Sequence, residues 1–245
     1  MVISHKYKYI YVESPMTGST AIANELLLNY EGESILRKHA LLHELKNVNS
    51  LYQNYYIFTN IRNPLDKIVS VYLKTKNDHN HKFTRNEYYG PLGLLFFLRM
   101  HLRHQRTVRQ ASFYGFLKSF PVYDEQSRLY VKRCNKLIRF ESLTDDFATV
   151  IRDLGLELVR HVPKRNETAG KVGYESFYKS TRVRKVAIAK LGPFMRTSTY
   201  NFPTWWNAPE PSTFGLARFY LFKAMRLFSW RLLRPMIASR AKIFQ

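Results

Sequence analysis

The sequence contains little that could support a disulfide framework or a metal centre. Cys134 is the only cysteine among 245 residues, so the chain can form no internal disulfide and no tetrahedral cysteine zinc site. The eight histidines include no His-Glu-x-x-His pair. We therefore expect no structural metal.

Two common phosphate-binding motifs are also missing. No Gly-x-x-x-x-Gly-Lys-Ser/Thr segment occurs, which disfavours a Walker-type nucleotide triphosphatase. No Gly-x-Gly-x-x-Gly follows a strand, which disfavours a dinucleotide-binding fold. A P-loop kinase that uses ATP and Mg²⁺ stays open as an alternative, and the missing Walker lysine counts against it.

Acidic residues are scarce. The chain has 18 Asp and Glu against 39 Lys and Arg, which gives a net charge of +21. Such a surplus attracts polyanions, which include nucleic acid, anionic lipid, sulfated or phosphorylated glycans and nucleotide cofactors, and it does not choose among them. A nucleic-acid-binding protein is one alternative, but no recognisable module supports it and no nucleic-acid partner is expected.

The sequence shows neither a secretory signal nor a membrane-spanning segment. The first residues lack the apolar region of a secretory signal, and no uncharged stretch is long enough to span a bilayer. We therefore expect a cytoplasmic protein. A length of 245 residues, 45% of them hydrophobic, suits one sizeable α/β domain with its own core.

The segment Tyr7–Asn29 is predicted to form a strand, a tight loop and a helix. Tyr7–Val12 is aromatic and β-branched, Ser14–Thr20 interrupts it with Pro, Gly and hydroxyl residues, and Ala21–Leu28 has helical composition. A loop of this kind at a helix start presents backbone N–H groups to an anion, and the helix dipole adds to the attraction. The alternative is an ordinary βα turn closed by a Ser or Thr cap.

Further strands and helices alternate along the chain. We predict strands at Tyr55–Ile61 and Lys136–Phe140, a turn region at Pro193–Trp206, and a helix end at Gly155. Two successive βα units predict an α/β fold with a mostly parallel central sheet flanked by helices. Helices are predicted within these ranges: Arg37–Leu45, Leu65–Lys74, Tyr88–Phe120, Asp145–Leu154 and Tyr178–Lys190.

Three segments occur in an order that carries a family resemblance. Pro15–Thr20 reads Pro-Met-Thr-Gly-Ser-Thr, Arg62–Tyr72 reads Arg-Asn-Pro-Leu-Asp-Lys-Ile-Val-Ser-Val-Tyr, and a strand with its helix follows at Ile138–Phe147. Together they resemble the PAPS-dependent sulfotransferase family, in particular its carbohydrate and Golgi-type branch and its bacterial relatives. Tyr200–Pro203 is similar to a late family segment. The resemblance implies a P-loop-like PAPS sulfotransferase architecture.

The resemblance also implies roles for individual residues. In the family the first loop binds the 5′-phosphosulfate of PAPS (3′-phosphoadenosine-5′-phosphosulfate), and an Arg and a Ser of the second segment bind the 3′-phosphate, which the product PAP keeps. Arg62 follows a strand end, where α/β sheets bind ligands, and a guanidinium makes forked contacts to phosphate. A surface or helix-packing charge is the alternative for Arg62, and a helix-packing hydroxyl is the alternative for Ser70. The implied cofactor-binding residues are Pro15, Met16, Thr17, Gly18, Ser19, Thr20, Arg62 and Ser70.

Met16 departs from the family pattern, which has Lys or Arg at this position. In the family that cation contacts the phosphosulfate and balances charge on the leaving bridging oxygen, and losing one such contact costs on the order of 10²–10³ in rate. Met16 therefore raises the alternative of a catalytically impaired protein that binds PAP or PAPS without turnover. A solvated basic loop is the alternative for the proposed replacement cations. These cations are predicted within Val162–Gly173, at Lys164, Arg165 and Lys171.

The acceptor hydroxyl needs a base, and the pKa of histidine suits this task. His39, in Lys38-His39-Ala40, resembles a family segment that carries a cleft histidine, so it is preferred to His43 as the catalytic residue. A surface or packing histidine is the alternative. The less supported bases are His101, His104, His161, Glu13 and Glu44.

The sequence therefore predicts a sulfotransferase domain over residues 1–212 that moves a sulfuryl group from PAPS to a hydroxyl of a carbohydrate or glycolipid. Residues 213–245 are predicted to form a basic, apolar helical extension, because no acidic residue occurs from Phe214 onwards. A basic amphipathic helix can lie against an anionic membrane. A helix packed on the domain with a solvated basic face is the alternative.

Overall fold

The centre of the fold is a mixed β-sheet. The computed structural model describes residues 1–36, 38–40, 44–45, 52, 54–87, 90–110, 112–119, 134–163, 173–196 and 200–232. Five strands lie within these ranges, in the spatial order β3-β1-β2-β4-β5. They are β1 (Val2–Ser4), β2 (Tyr9–Val12), β3 (Glu33–Ser34), β4 (Tyr56–Ile61) and β5 (Lys136–Arg139).

The predicted α/β class is confirmed, and the predicted parallel pairing holds for the three strands β2, β4 and β5. The edge of the sheet was not predicted: β1 pairs antiparallel with both β2 and β3. Strand β2 begins at Tyr9 rather than at the predicted Tyr7, because the chain turns between β1 and β2 and Lys8 has a φ of 51°.

Seven α-helices occur in the described residues. The helix after the first loop begins at Ser19, and each βα connection predicted from the sequence contains a helix. They are α1 (Ser19–Asn29), α2 (Pro64–Lys76), α3 (Gly90–Gln110), α4 (Phe113–Ser119), α5 (Leu143–Asp153), α6 (Thr181–Met195) and α7 (Thr213–Leu232).

Two predicted helix boundaries are wrong. Helix α6 continues through Pro193 to Met195, where a turn was predicted, because its last residues are buried in an apolar cluster with Leu191 and Phe194. A helix was predicted within Arg37–Leu45, but His39 has a φ of 59°, and the helical residues described there are Glu44 and Leu45 alone. Gly155 ends α5 as predicted, with a φ of 71° and an amide that donates to the Arg152 carbonyl.

The chain folds into two compact units that alternate along the sequence. The first unit comprises residues 1–63 and 125–167, and the second comprises residues 64–124 and 168–245. This division differs from the predicted boundary between residues 212 and 213, which stays a prediction. Helix α7 falls within the second unit.

The first unit contains the whole sheet. Because successive side chains of a strand point to opposite faces, Tyr9 and Tyr11 pack with α1 and α5 residues, while Ile10 and Val12 pack in a separate cluster with Ala40. The second unit has a helical core that is rich in aromatic side chains. Its fully or nearly fully buried aromatic residues are Tyr72, Phe113, Phe116, Tyr178, Phe194, Trp206 and Phe219.

Candidate functional site

The site predicted from the sequence lies at one edge of the sheet in the first unit. The parallel strands β2, β4 and β5 end there. Strand β2 is followed by Glu13 and then by the loop 14–18, β4 is followed by Arg62, and β5 is followed by Phe140. The carboxyl ends of parallel strands are where α/β sheets bind ligands. The sheet topology therefore brings the first loop and Arg62 of the second family segment together.

The loop has an unusual backbone. Met16 has a φ of 62° and Gly18 has a φ of 78°, so two left-handed residues flank Thr17. A Cβ added to Gly18 would lie 3.3 Å from Phe140 and 3.4 Å from Leu143, which is a second reason for glycine at this position. A positive φ is uncommon for a residue as large as Met16, so the contacts around the loop must hold this conformation.

Side chains in and around the loop donate hydrogen bonds to its carbonyl groups, which are therefore turned inward. Arg62 Nη1 donates to Met16 O at 3.0 Å, and Asn60 Nδ2 donates to Thr17 O at 3.0 Å. The Thr17 hydroxyl donates to Ser14 O at 2.9 Å. In a planar trans peptide the N–H of the next residue points away from the carbonyl, so the amides of Thr17 and Gly18 face away from these contacts.

The start of α1 leaves further amides for a ligand. Gly18 is the N-cap residue, and no side chain caps the helix. The predicted alternative, a turn closed by a Ser or Thr side chain, is therefore not what the structure contains. In the described part of the chain, the amides of Thr17 and Gly18 also have no hydrogen-bond acceptor. Uncapped helix amides and the helix dipole favour an anion at this place.

A buried polar network holds Asn60 in place. The Tyr11 hydroxyl donates to Asn60 Oδ1 at 2.6 Å, and both side chains are fully buried. Burial, and after it the charge of Glu13, raises the pKa of Tyr11 well above its usual value, so the phenol keeps the proton that it donates. The loop conformation thus depends on polar groups inside the sheet.

Arg62 is buried, with 6% of its surface exposed. Its guanidinium carbon lies 3.9 Å from the centre of the Phe140 ring, and Nη1 donates to the Met16 carbonyl. Arg62 therefore supports the loop and places a permanent positive charge beneath it. Its predicted contact with the 3′-phosphate stays a prediction.

Lys38 and His39 lie against this loop. The Lys38 ammonium donates to the Thr20 hydroxyl at 2.9 Å, and His39 Nδ1 lies 2.9 Å from the Glu13 carbonyl oxygen. Because a carbonyl oxygen can only accept, Nδ1 carries the proton and Nε2 of the neutral ring carries the lone pair. This tautomer is the one a general base at Nε2 requires.

The other predicted bases lie in different settings. In the second unit, His101 Nδ1 contacts the Phe83 carbonyl at 2.8 Å and His104 Nδ1 contacts the Thr75 carbonyl at 2.6 Å. In the first unit His161 is exposed, while Glu13 is 6% exposed and its carboxylate lies 2.6 Å from the Met1 amino group. His39 is the predicted base whose ring contacts the residue directly before the loop.

Several predicted residues cannot be placed in the site. Lys164, Arg165, Lys171 and His43 lie outside the described residues. Ser70 lies on α2 in the second unit, where it is fully buried, and its role rests on the sequence alone. Ser19 is buried at the first position of α1, and Pro15 and Met16 are partly exposed.

Sequence analysis missed the residues that shape the loop. Asn60, Tyr11, Phe140 and Lys38 were not singled out, although the consecutive polar pair Thr59-Asn60 in an otherwise apolar strand was a visible signal. Both members of the pair are fully buried. A polar residue inside a buried strand needs a specific hydrogen-bond partner. The partner of the Asn60 amide is the Thr17 carbonyl of the loop.

Comparison with known proteins identifies the family. The model of the Sulfotransferase family matches residues 1–202, which is most of the chain, and the chain therefore belongs to this family. Membership supports sulfuryl transfer as its general chemistry, and it confirms the resemblance drawn from the three motifs. No curated protein and no solved structure matches the chain. Within the described ranges, no group of three or more His, Cys, Asp or Glu residues could hold a metal ion.

Proposed function

We propose that this protein transfers a sulfuryl group from PAPS to a hydroxyl group of a carbohydrate or glycolipid. The observation that carries the proposal is the uncapped start of α1, where inward-turned carbonyls leave the loop amides to face an anion. The anion that fits this loop is the 5′-phosphosulfate end of PAPS. The carbohydrate branch is supported by the motif resemblance alone.

The residues of the loop and those that contact it each have a task in the proposed mechanism. When bound, PAPS supplies the activated sulfuryl group that the acceptor oxygen receives. The amides of Thr17 and Gly18 and the dipole of α1 hold the negative 5′ end. Arg62 and Asn60 keep the loop in the conformation that presents those amides. His39 Nε2 receives the proton of the acceptor hydroxyl, and its tautomer is fixed by the bond from Nδ1 to Glu13.

The test of the donor compares three ligands by calorimetry: PAP, 5′-AMP and ATP. We expect PAP to bind most tightly, because it carries the additional 3′-phosphate that Arg62 is proposed to meet. Arg62→Ala should remove most of the preference of PAP over 5′-AMP, and Arg62→Lys should retain part of it because the charge remains.

The matched control is Arg152→Ala. Arg152 is exposed in the last turn of α5, about 13 Å along the helix from Leu143, which packs near Gly18. Its removal should leave the PAP preference unchanged. Equal affinity of the wild-type protein for PAP and 5′-AMP contradicts the proposed donor. Tight PAP binding without transfer to any acceptor favours the catalytically impaired homologue, and tighter binding of ATP favours the kinase alternative.

We also propose that α7 contacts anionic lipid. No helix in the described ranges has both the length and the apolar character of a membrane span. Helix α7 nevertheless exposes large apolar side chains, with Phe214 77%, Leu221 60% and Phe228 66% exposed, while Phe219 is fully buried. The segment carries cations and no acidic residue, so its charge is complementary to anionic headgroups.

A further inference from the structure

Among the described residues, one side-chain contact holds Lys38 at the start of α1. Its Nζ donates to the Thr20 hydroxyl at 2.9 Å, and the rest of the side chain is exposed. Thr20 is the second residue of the helix, two positions after the N-cap Gly18. In the described part of the chain, Lys38 has no carboxylate partner.

This position is electrostatically unfavourable for a cation in the absence of an anion. The start of a helix carries a partial positive charge, so Lys and Arg are stabilising at the opposite end. Helix α1 has no acidic residue in its first turn, and the buried Arg62 adds another positive charge beneath the loop. An anion bound at the loop amides would offset all of these charges together.

The backbone of the segment explains how Lys38 reaches the loop. Ala40 is fully buried in the cluster with Ile10 and Val12, and the left-handed His39 lets its ring meet the Glu13 carbonyl. Lys38 and His39 thus contact the two sides of the loop, Thr20 after it and Glu13 before it. The pair brings an ammonium and a base to the same short segment.

We infer that Lys38 is the cation of the sulfuryl-transfer site and binds the 5′-phosphosulfate in place of the lysine or arginine that the loop lacks at Met16. This inference rests on the proposed function. The predicted candidates Lys164, Arg165 and Lys171 lie outside the described residues and stay predictions, whereas the ammonium of Lys38 contacts Thr20.

The chemistry explains why a cation is required here. The transfer forms a bond between the acceptor oxygen and sulfur and breaks the bond between sulfur and the bridging oxygen. The bridging oxygen keeps the electron pair, and the acceptor proton passes to His39. An ammonium beside the bridging oxygen stabilises this developing negative charge, which the loop amides share.

The test measures how much Lys38 contributes to binding the 5′-phosphate. Lys38→Met should weaken PAP binding roughly 10- to 100-fold, the range of a charge-assisted hydrogen bond, and should leave the binding of adenosine 3′-phosphate unchanged. It should also lower the transfer rate by on the order of 10²–10³. Because Lys38 is exposed, the variant should keep the free energy of unfolding of the wild type.

The control makes the same Lys→Met change at a distant lysine, and the rescue introduces a lysine into the loop. Lys6→Met removes an exposed lysine at the other end of β2, where Lys6 pairs with Glu31. This variant should bind PAP and adenosine 3′-phosphate as tightly as the wild type does. In the Lys38→Met protein, Met16→Lys should restore PAP affinity and transfer. In the wild-type background Met16→Lys should not raise the transfer rate, because a second ammonium would crowd the first.

The outcomes separate this inference from the proposed function. If Lys38→Met binds PAP as tightly as the wild type, or weakens PAP and adenosine 3′-phosphate equally, Lys38 is not the cation while the proposed donor stands. A tenfold or larger rate increase from Met16→Lys alone also overturns the inference, because the site would then lack its cation. A wild-type protein without a preference for PAP over 5′-AMP overturns the proposed function, and the inference fails with it.

Discussion

A histidine in each unit donates from Nδ1 to a backbone carbonyl, but the two carbonyls belong to different structures. His39 in the first unit donates to Glu13, directly before the loop, whereas His104 in the second unit donates to Thr75 in the last turn of α2. The last carbonyls of a helix have no partner within it, so the His104 contact caps α2. The same bond fixes the same tautomer in both, so the surroundings alone distinguish the proposed base His39 from His104.

The two units also differ in what they bury. In the first unit the buried polar side chains Thr17, Asn60 and Arg62 all hold the loop. In the second unit the core is rich in aromatic side chains, and one of its buried polar residues, Thr107, satisfies its hydroxyl within its own helix. Burying polar groups is costly unless they are paired, so the arrangement around the loop indicates selection for a site rather than for stability alone.

The largest expected effect separates the two histidines. His39→Ala should lower the transfer rate by roughly 10²–10⁴ while leaving the PAP dissociation constant unchanged, because the base acts on the acceptor proton. His104→Ala should leave transfer unchanged and lower the free energy of unfolding by about 0.5–1.5 kcal/mol through the lost hydrogen bond. Steady-state transfer assays, PAP calorimetry and urea unfolding measure these quantities. Full transfer by the His39 variant, or its failure to fold, would return His39 to a packing role.

An intermediate effect separates the buried polar residues. Asn60→Leu leaves the Thr17 carbonyl without its donor and leaves the Tyr11 hydroxyl with only the longer contact to the Ser19 carbonyl, at 3.4 Å. It should therefore lower the free energy of unfolding by about 2–4 kcal/mol and weaken PAP binding. Thr107→Val, in the second unit, should cost about 1 kcal/mol, since only a hydroxyl within its own helix is lost. Chemical unfolding and calorimetry test both variants. Equal PAP affinity in the Asn60 variant and the wild type would mean that the loop holds its conformation without this contact.

The smallest expected effect concerns α7. The full chain should sediment with phosphatidylserine vesicles at low salt and be released at 1 M salt, where the Debye length falls to about 3 Å. Leu221→Ser with Phe228→Ser should weaken this binding, whereas Leu28→Ser, an equally exposed leucine on α1, should not. Truncation at Ser212 is a poorer test because it also removes the buried Phe219. A full chain that binds no vesicles would retire the lipid proposal.

Much of the architecture could be predicted from local pattern. The motifs around Pro15 and Arg62, the apolar strands and the glycine end of α5 carry their own signals, and these elements occur where they were expected. Strands β1 and β3 have three and two residues, which is too short for a periodic pattern. Strand β1 pairs along the edge of β2, and β3 pairs in turn with β1.

The part of the site that could not be predicted depends on contacts between distant residues. Lys38 and His39 were expected in a helix, but the burial of Ala40 and the bond from His39 to Glu13, 26 residues away, impose a left-handed turn. Asn60 could not be assigned a role until Thr17, 43 residues away, was known to accept from it. Tertiary contacts override local propensity at such places.

The alternation of the two units along the chain has a consequence for synthesis on the ribosome. Strand β4 pairs with β5 across a separation of 78 residues. The apolar strand that contains Ile57, Phe58 and Ile61 therefore stays unpaired on this side until β5 has been synthesised. At about 5–20 residues per second, the interval lasts several seconds. An unpaired apolar strand edge is a template for pairing with other chains. Nascent chains should therefore aggregate less when translation is slowed after β5 rather than between β4 and β5, or when a chaperone covers β4 in the meantime.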